Sequence, residues 1–101
     1  MIRDPLVEIE VGVRGDTAAS LGHAGRKLRE AAAALVDYDK REGRRTRQRD
    51  WLLHCAADAL WCFVIQREVM GVTDNRDVDA TFGVTPEMWA RMGARGSEAA
   101  A

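Results

Sequence analysis

One segment constrains the fold more than any other, because its apolar side chains occupy almost the whole circumference of a helix. It runs from about Thr46 to Met70, with a thin polar stripe marked by His54, Asp58 and Glu68. A helix with so little polar surface must be covered on more than one side. A single antiparallel partner helix is insufficient, so we expect the C-terminal segment or a second copy of the chain to cover the rest.

The preceding segment predicts a long helix that packs along this one. From Asp16 or Thr17 onward, large and small residues follow a four–three spacing typical of a helix–helix seam. The seam positions are Ala18, Leu21, Gly25, Leu28, Ala32 and Leu35. Gly22 and Gly25 each cost about 1 kcal/mol of helix propensity relative to alanine. Either a close neighbour requires them, or a packed bundle tolerates them.

Residues 5–15 allow two interpretations. Four β-branched residues alternate with polar residues or glycine, at Val7, Ile9, Val11 and Val13. This alternation is typical of a strand, but no second strand is predicted with which it could pair. We therefore favour a helix that begins at Pro5 after an Asp4 cap, with an extended arm over residues 1–15 as the alternative.

The C-terminal third predicts two short helices. Gly71 and Gly83 are natural helix ends, and Thr85-Pro86 is a typical helix start. The last helix is expected to end near Gly93, followed by a disordered tail over residues 94–101. These elements predict one all-α domain over residues 1–93. Its architecture is a long antiparallel helical hairpin with two short C-terminal helices packed on it.

Composition and length exclude several classes of protein. The chain has 101 residues and a net charge of −1, so it is one domain without a global attraction to nucleic acid or anionic membranes. Its longest apolar run, Ala59 to Ile65, has seven residues, far short of the roughly 20 that span a membrane. The N-terminal segment lacks the apolar region of a signal peptide. We therefore expect a cytoplasmic protein that does not enter a membrane.

The sequence shows no pattern typical of a catalytic or metal-binding site. Cys55 and Cys62 lie about 10 Å apart along one helix, too far for an internal disulfide, so both are expected to stay reduced. The same separation argues against a zinc site with His23 and His54. His54 and Cys55 are consecutive and diverge by about 100° on a helix, so they do not form a nucleophile–base pair. We expect no enzymatic activity, no metal and no cofactor.

A basic loop, residues 40–49, is one candidate binding surface. Between Lys40 and Asp50, six basic residues stand against two acidic ones. Arg44 and Arg45 lie at its centre. A solvated connection between helices is the alternative interpretation of this charge run.

The segment 76–92 resembles a helix-turn-helix around the turn Gly83-Val84-Thr85. Four acidic residues against two basic ones between Val72 and Met92 make it a poor phosphate-binding surface. The alternative is that its two short helices fold over the core.

Arg67 lies on the apolar face that also carries Phe63 and Val64. A guanidinium in this position must reach solvent or bind a carboxylate. Three candidate carboxylates follow in the chain: Asp74, Asp77 and Glu87. Arg67 is either a clamp for the C-terminal helices or a contact for an anion or a partner.

Several short motifs resemble a family of small bacterial proteins known only as a domain of unknown function. They are LGHAGRKL over 21–28, AADALW over 56–61, VIQRE over 64–68 and GVTD over 71–74. The family's late Tyr-Gly-Ile-Pro turn is replaced here by Phe82-Gly83-Val84-Thr85-Pro86, with one extra residue before the proline. The resemblance covers about residues 18–93. It implies a small helical protein and brings no activity, cofactor or catalytic residue.

The excess apolar surface and the lack of a chemical site predict a non-enzymatic protein–protein interaction module, an adaptor, regulator or inhibitor that self-associates. The partner is a second copy or another protein. Its candidate contact residues are Trp51, Trp61, Arg67, Trp89, Arg44 and Arg45. The alternative is a weak nucleic-acid-binding protein that uses the basic loop and the helix-turn-helix-like segment.

Overall fold

The computed structural model describes the backbone of residues 5–100 and the side chains of residues 19–93. It has four helices within that range, α1 (Pro5–Arg41), α2 (Arg47–Val69), α3 (Val78–Phe82) and α4 (Pro86–Ala100), and no strand. α1 and α2 form the hairpin, α4 packs on α2, and α3 packs on α1. The predicted all-α hairpin with C-terminal helices packed on it is confirmed.

α1 begins at Pro5, so the backbone of residues 5–15 is helical and not an extended arm. Asp4, the predicted cap, lies outside the described residues. Farther along, the predicted seam positions Gly25, Leu28, Ala32 and Leu35 are buried, and Ala24 and Tyr38 extend the same buried stripe. Leu21 is only half-buried at its start. The apolar spacing of α1 therefore predicts which face meets α2.

Gly22 and Gly25 of α1 have different explanations. A Cβ added to Gly25 would lie 3.2 Å from Cε1 of Phe82 and 3.4 Å from Cε2 of Phe63. At Gly22 the nearest neighbour would be the flexible guanidinium of Arg26, at 3.5 Å. A close approach of two aromatic rings therefore accounts for Gly25, whereas Gly22 is simply tolerated.

The ends of α2 lie within one residue of the predicted Thr46 and Met70, and local chemistry sets both. The Thr46 hydroxyl accepts a hydrogen bond from the backbone N–H of Arg49 at 3.2 Å and caps the first turn. The same hydroxyl is hydrogen-bonded to the Tyr38 hydroxyl of α1. At the other end the chain turns at Gly71, which has a φ of 83°. Thr46 thus starts α2 and ties it to the end of α1.

α2 is covered on two sides by its own chain. Leu53, Ala56 and Leu60 lie in one core cluster with the seam of α1 and with Met88 of α4. Part of its apolar surface stays exposed, at Trp51, Ile65 and Val69. The expected coverage by the C-terminal segment is therefore real but incomplete. Within the described residues, no helix is long and apolar enough to cross a membrane.

The C-terminal boundary differs from the prediction. The helix predicted to end near Gly93 continues to Ala100, while Ala101 lies outside the described residues. Ala94, Glu98 and the terminal alanines favour helix strongly enough to offset single glycines. A glycine ends a helix only where the backbone turns into the left-handed region, as at Gly83 with its φ of 75°.

Candidate functional site

A groove of about 740 Å³ runs between α1 and α2. All of its lining residues belong to these two helices, so within the described part of the chain α3 and α4 contribute nothing to it. Four of its lining residues are alanines: Ala24, Ala31, Ala34 and Ala59. Small residues let another helix approach closely. The groove is therefore an open, largely apolar face of the hairpin.

Trp51 lies at one end of the groove. Its side chain is 63% exposed, and its ring stacks against His54 with centroids 5.6 Å apart. An aromatic side chain held in position by a neighbour and open to solvent is typical of the residues that dominate binding energy at interfaces. Of the predicted contact residues, Trp51 is the one that lines this groove.

The other two tryptophans lie elsewhere. Trp61 and Trp89 are both half-buried, and neither lines the groove. The indole N–H of Trp89 donates a hydrogen bond to Asp79 Oδ1 at 2.5 Å, which ties α4 to α3. Trp89 therefore fixes the corner between the C-terminal helices.

Polar and sulfur-containing side chains complete the groove. His23, Lys27 and Glu30 line it from α1, while the half-buried Cys55 and the exposed Cys62 line it from α2. Both thiols lie on the same face, two turns apart. Among the residues that the structure describes, no group of three or more histidine, cysteine, aspartate or glutamate side chains is arranged to hold a metal ion.

A charged cluster at the loop end of the hairpin joins α1, α2 and α4. The Arg49 side chain, only 12% exposed, donates to Asp39 Oδ1 at 2.7 Å and to Glu87 Oε1 at 2.7 Å. These hydrogen bonds from Arg49 hold the pKa of the Asp39 carboxyl and the pKa of the Glu87 carboxyl below their ordinary values. The cluster fixes the first turn of α4 against the hairpin.

Sequence reasoning did not single out Arg49. It lies one turn before Leu53 and shares the buried face of α2, just as Arg67 does at the other end. An arginine on an otherwise apolar helix face was therefore the sequence pattern that could have identified Arg49. Glu87 was expected as one candidate partner of Arg67, and it binds Arg49 and Arg45 instead.

The basic loop carries less free positive charge than its composition indicates. Arg41 pairs with Asp37 at 2.7 Å, Arg45 with Glu87 at 3.2 Å, and Arg49 is held in the cluster. The Arg44 side chain is exposed. Half of the six basic residues thus bind carboxylates of their own chain.

The helix-turn-helix-like segment presents the first turns of α4 to its own chain. Glu87 binds Arg49, Met88 is fully buried, and Arg91 donates to Asp50 Oδ1 at 3.0 Å. A recognition helix would need these positions free to reach the base edges of DNA. The alternative interpretation, two helices that fold over the core, describes this geometry.

Arg67 acts as a clamp between α2 and the loop before α3. Its side chain is 11% exposed and donates to the backbone oxygen of Asp74 at 2.9 Å and to Asp77 Oδ1 at 3.4 Å. Its guanidinium also lies over the ring of Phe63, 5.4 Å from the centroid. The backbone carbonyl is the better-placed acceptor, so the clamp depends on loop geometry as much as on charge.

Replacing Arg67 with alanine is expected to lower the free energy of unfolding by about 1–2 kcal/mol, because a charged hydrogen bond and packing on Phe63 are lost together. Arg67→Lys should restore only part of the lost free energy of unfolding, since lysine lacks the planar, forked guanidinium group. Urea denaturation followed by circular dichroism measures both. Arg76→Ala is the matched control: its side chain is 90% exposed and also binds Asp74, and its midpoint should not move. A wild-type midpoint for Arg67→Ala would rule out the clamp.

The fold and the groove define a small all-helical protein built on one long hairpin. The chain belongs to a family of unknown function, DUF6665, whose model matches residues 5–100. The predicted resemblance to an uncharacterised helical family is thereby confirmed. No curated protein and no solved structure matches the chain.

Proposed function

We propose that this protein is a non-enzymatic interaction module that associates with a second copy of itself through the α1–α2 groove. The observation that supports the proposal is the groove itself, an apolar face of two helices with the exposed Trp51 at its end. A contiguous apolar face rimmed by polar residues marks an interaction surface in soluble proteins.

The shape of the groove favours a helical partner. It extends over residues 20–34 of α1 and 51–66 of α2, which is about four turns or roughly 22 Å of each helix. A second hairpin presents two helices of the same length. Packing two such faces together completes a four-helix bundle, in which α2 gains the cover that its own chain does not supply.

The proposed role is that of a cytoplasmic adaptor or regulator whose oligomeric state is part of its action. In a reducing compartment Cys55 and Cys62 stay thiols and pack in the groove as small apolar groups. The nucleic-acid-binding alternative remains a prediction with weaker support, because half of its basic residues are engaged with carboxylates.

Light scattering coupled to size-exclusion chromatography is expected to give the mass of a dimer at high micromolar concentration. Trp51→Ala should raise the dissociation constant about 30-fold, the effect of losing an aromatic anchor from an interface. Val69→Ala is the matched control, because it removes an apolar side chain that is 71% exposed on α2 but outside the groove. A monomeric mass from micromolar to near-millimolar concentration would refute self-association.

A further inference from the structure

We infer that two copies pack groove to groove about a two-fold axis perpendicular to the helices, so that Cys55 of each copy faces Cys62 of the other. α2 then lies antiparallel to α2 of the second copy, and α1 lies antiparallel to α1. The inference rests on the proposed function, because it specifies the geometry of the self-association.

The groove-lining positions of α2 are symmetric along the helix. Trp51 and Gln66, then Cys55 and Cys62, lie at equal distances on either side of the point between Asp58 and Ala59. When two identical helices cross antiparallel at that point, each member of a pair faces the other member on the second copy. Cys55 and Cys62 are two turns apart and share one face, so both thiols point into such a crossing.

The groove-lining charges of α1 are self-complementary in the same arrangement. Lys27 and Glu30 both line the groove, and within residues 19–93 neither has an ion-pair partner. An antiparallel crossing centred between them brings Lys27 of each copy opposite Glu30 of the other, twice per dimer. A two-fold interface requires this kind of self-complementary pairing. Asp58, the acidic groove residue of α2, is already engaged within its own chain.

One axis serves both helices. The contacts of Asp39 with Arg49 and of the Gly25 position with Phe63 show which residues of α1 and α2 lie at the same height in the hairpin. In that register, the midpoint of the two charges on α1 and the midpoint of the two cysteines on α2 agree to about one residue, or about 1.5 Å. Two independent features of the groove thus give the same centre.

Disulfide cross-linking tests the arrangement. Diamide takes two electrons and two protons from a pair of thiols, forms one disulfide and is itself reduced to a hydrazine. At a concentration that light scattering shows to be dimeric, the wild-type protein should give a cross-linked dimer on a non-reducing gel. Cys55→Ser alone and Cys62→Ser alone should remain uncross-linked. An equimolar mixture of the two variants should cross-link, because one copy supplies Cys62 and the other supplies Cys55.

The alternatives give different results. Cross-linking of Cys55→Ser alone would mean that Cys62 of one copy faces Cys62 of the other. Cross-linking of Cys62→Ser alone would mean that Cys55 of one copy faces Cys55 of the other. Either result, or a dimeric mixture that does not cross-link, overturns the arrangement and leaves the proposed self-association standing. A wild-type protein that is monomeric at every concentration overturns both. Protein unfolded in urea controls for random collision of exposed thiols.

Charge reversal tests the other half of the arrangement without cysteine chemistry. Lys27→Glu should raise the dimer dissociation constant about tenfold, because it places two acidic side chains opposite each other. Lys27→Glu combined with Glu30→Lys should restore the wild-type constant. Because both residues are exposed on the surface of the monomer, unfolding midpoints of the variants should match the wild type at concentrations too low for association. Failure of the double variant to recover would overturn the pairing.

Discussion

Replacing Met88 with alanine is expected to lower the free energy of unfolding by about 2–5 kcal/mol, the range for removing a long apolar side chain from a packed core. Met88 is fully buried and lies in the first turns of α4, where it belongs to the cluster formed with Leu28 and Leu60. Truncation loses the transfer free energy of the side chain and leaves a cavity where α4 packs on α2. Urea denaturation at constant m-value measures the change.

Met70→Ala is the matched control for Met88→Ala. Met70 follows the end of α2 and its side chain is 45% exposed, so its truncation should change stability by no more than about 0.5 kcal/mol. In Met88→Ala, hydrogen exchange should show the loss of amide protection concentrated in α4, because a helix of this length is marginally stable without its packing partner. Equal effects of the two methionine variants would show that α4 does not depend on this core contact.

Replacing Arg49 with alanine is expected to lower the free energy of unfolding by about 1–3 kcal/mol at neutral pH. The range reflects charged hydrogen bonds to two carboxylates, discounted because Asp39 and Glu87 are partly open to solvent. Arg45→Ala is the control: its side chain is 82% exposed and it also reaches Glu87. Little change is expected there, since an exposed pair contributes little. If both arginine variants behave alike, the cluster is not what holds α4 to the hairpin.

The same variant should alter the acid sensitivity of the fold. The pKa values of the Asp39 and Glu87 carboxyls are lowered in the folded state from ordinary values of 3.8 and 4.5, chiefly by hydrogen bonds from Arg49. Stability that comes from lowered carboxyl pKa values is present at neutral pH and is lost as the pH falls through and below those ordinary values. The wild type should therefore lose stability between about pH 5 and pH 3 more steeply than Arg49→Ala. Parallel curves for the two proteins would contradict this coupling.

Arg67 and Arg49 show how far residue patterns predict long-range contacts. Both lie on the buried face of α2, and each reaches an acidic partner on a following segment. Of the three carboxylates predicted for Arg67, Asp77 binds it, since it follows within one loop and the chain has little freedom to place it elsewhere, whereas Asp74 binds Arg67 through its backbone oxygen. Glu87 is far along the chain from Arg49, and its position depends on the path of α3 and its turn. Local spacing does not specify that path.

The sequence by itself determined the number and order of the helices and those helix ends that a local cap sets, because capping depends on chemistry within a few residues. Thr46 caps α2 through its own hydroxyl, and Gly83 ends α3 because its φ lies in the left-handed region. The buried seam positions Gly25, Leu28, Ala32 and Leu35 were likewise predictable, since a helix has a fixed period. Only the tertiary structure decided which sides of the apolar α2 are covered. That depends on where α4 docks, and the docking free energy is shared among distant residues such as Leu60, Arg49 and Met88. The α1–α2 groove is part of the surface that this docking leaves open.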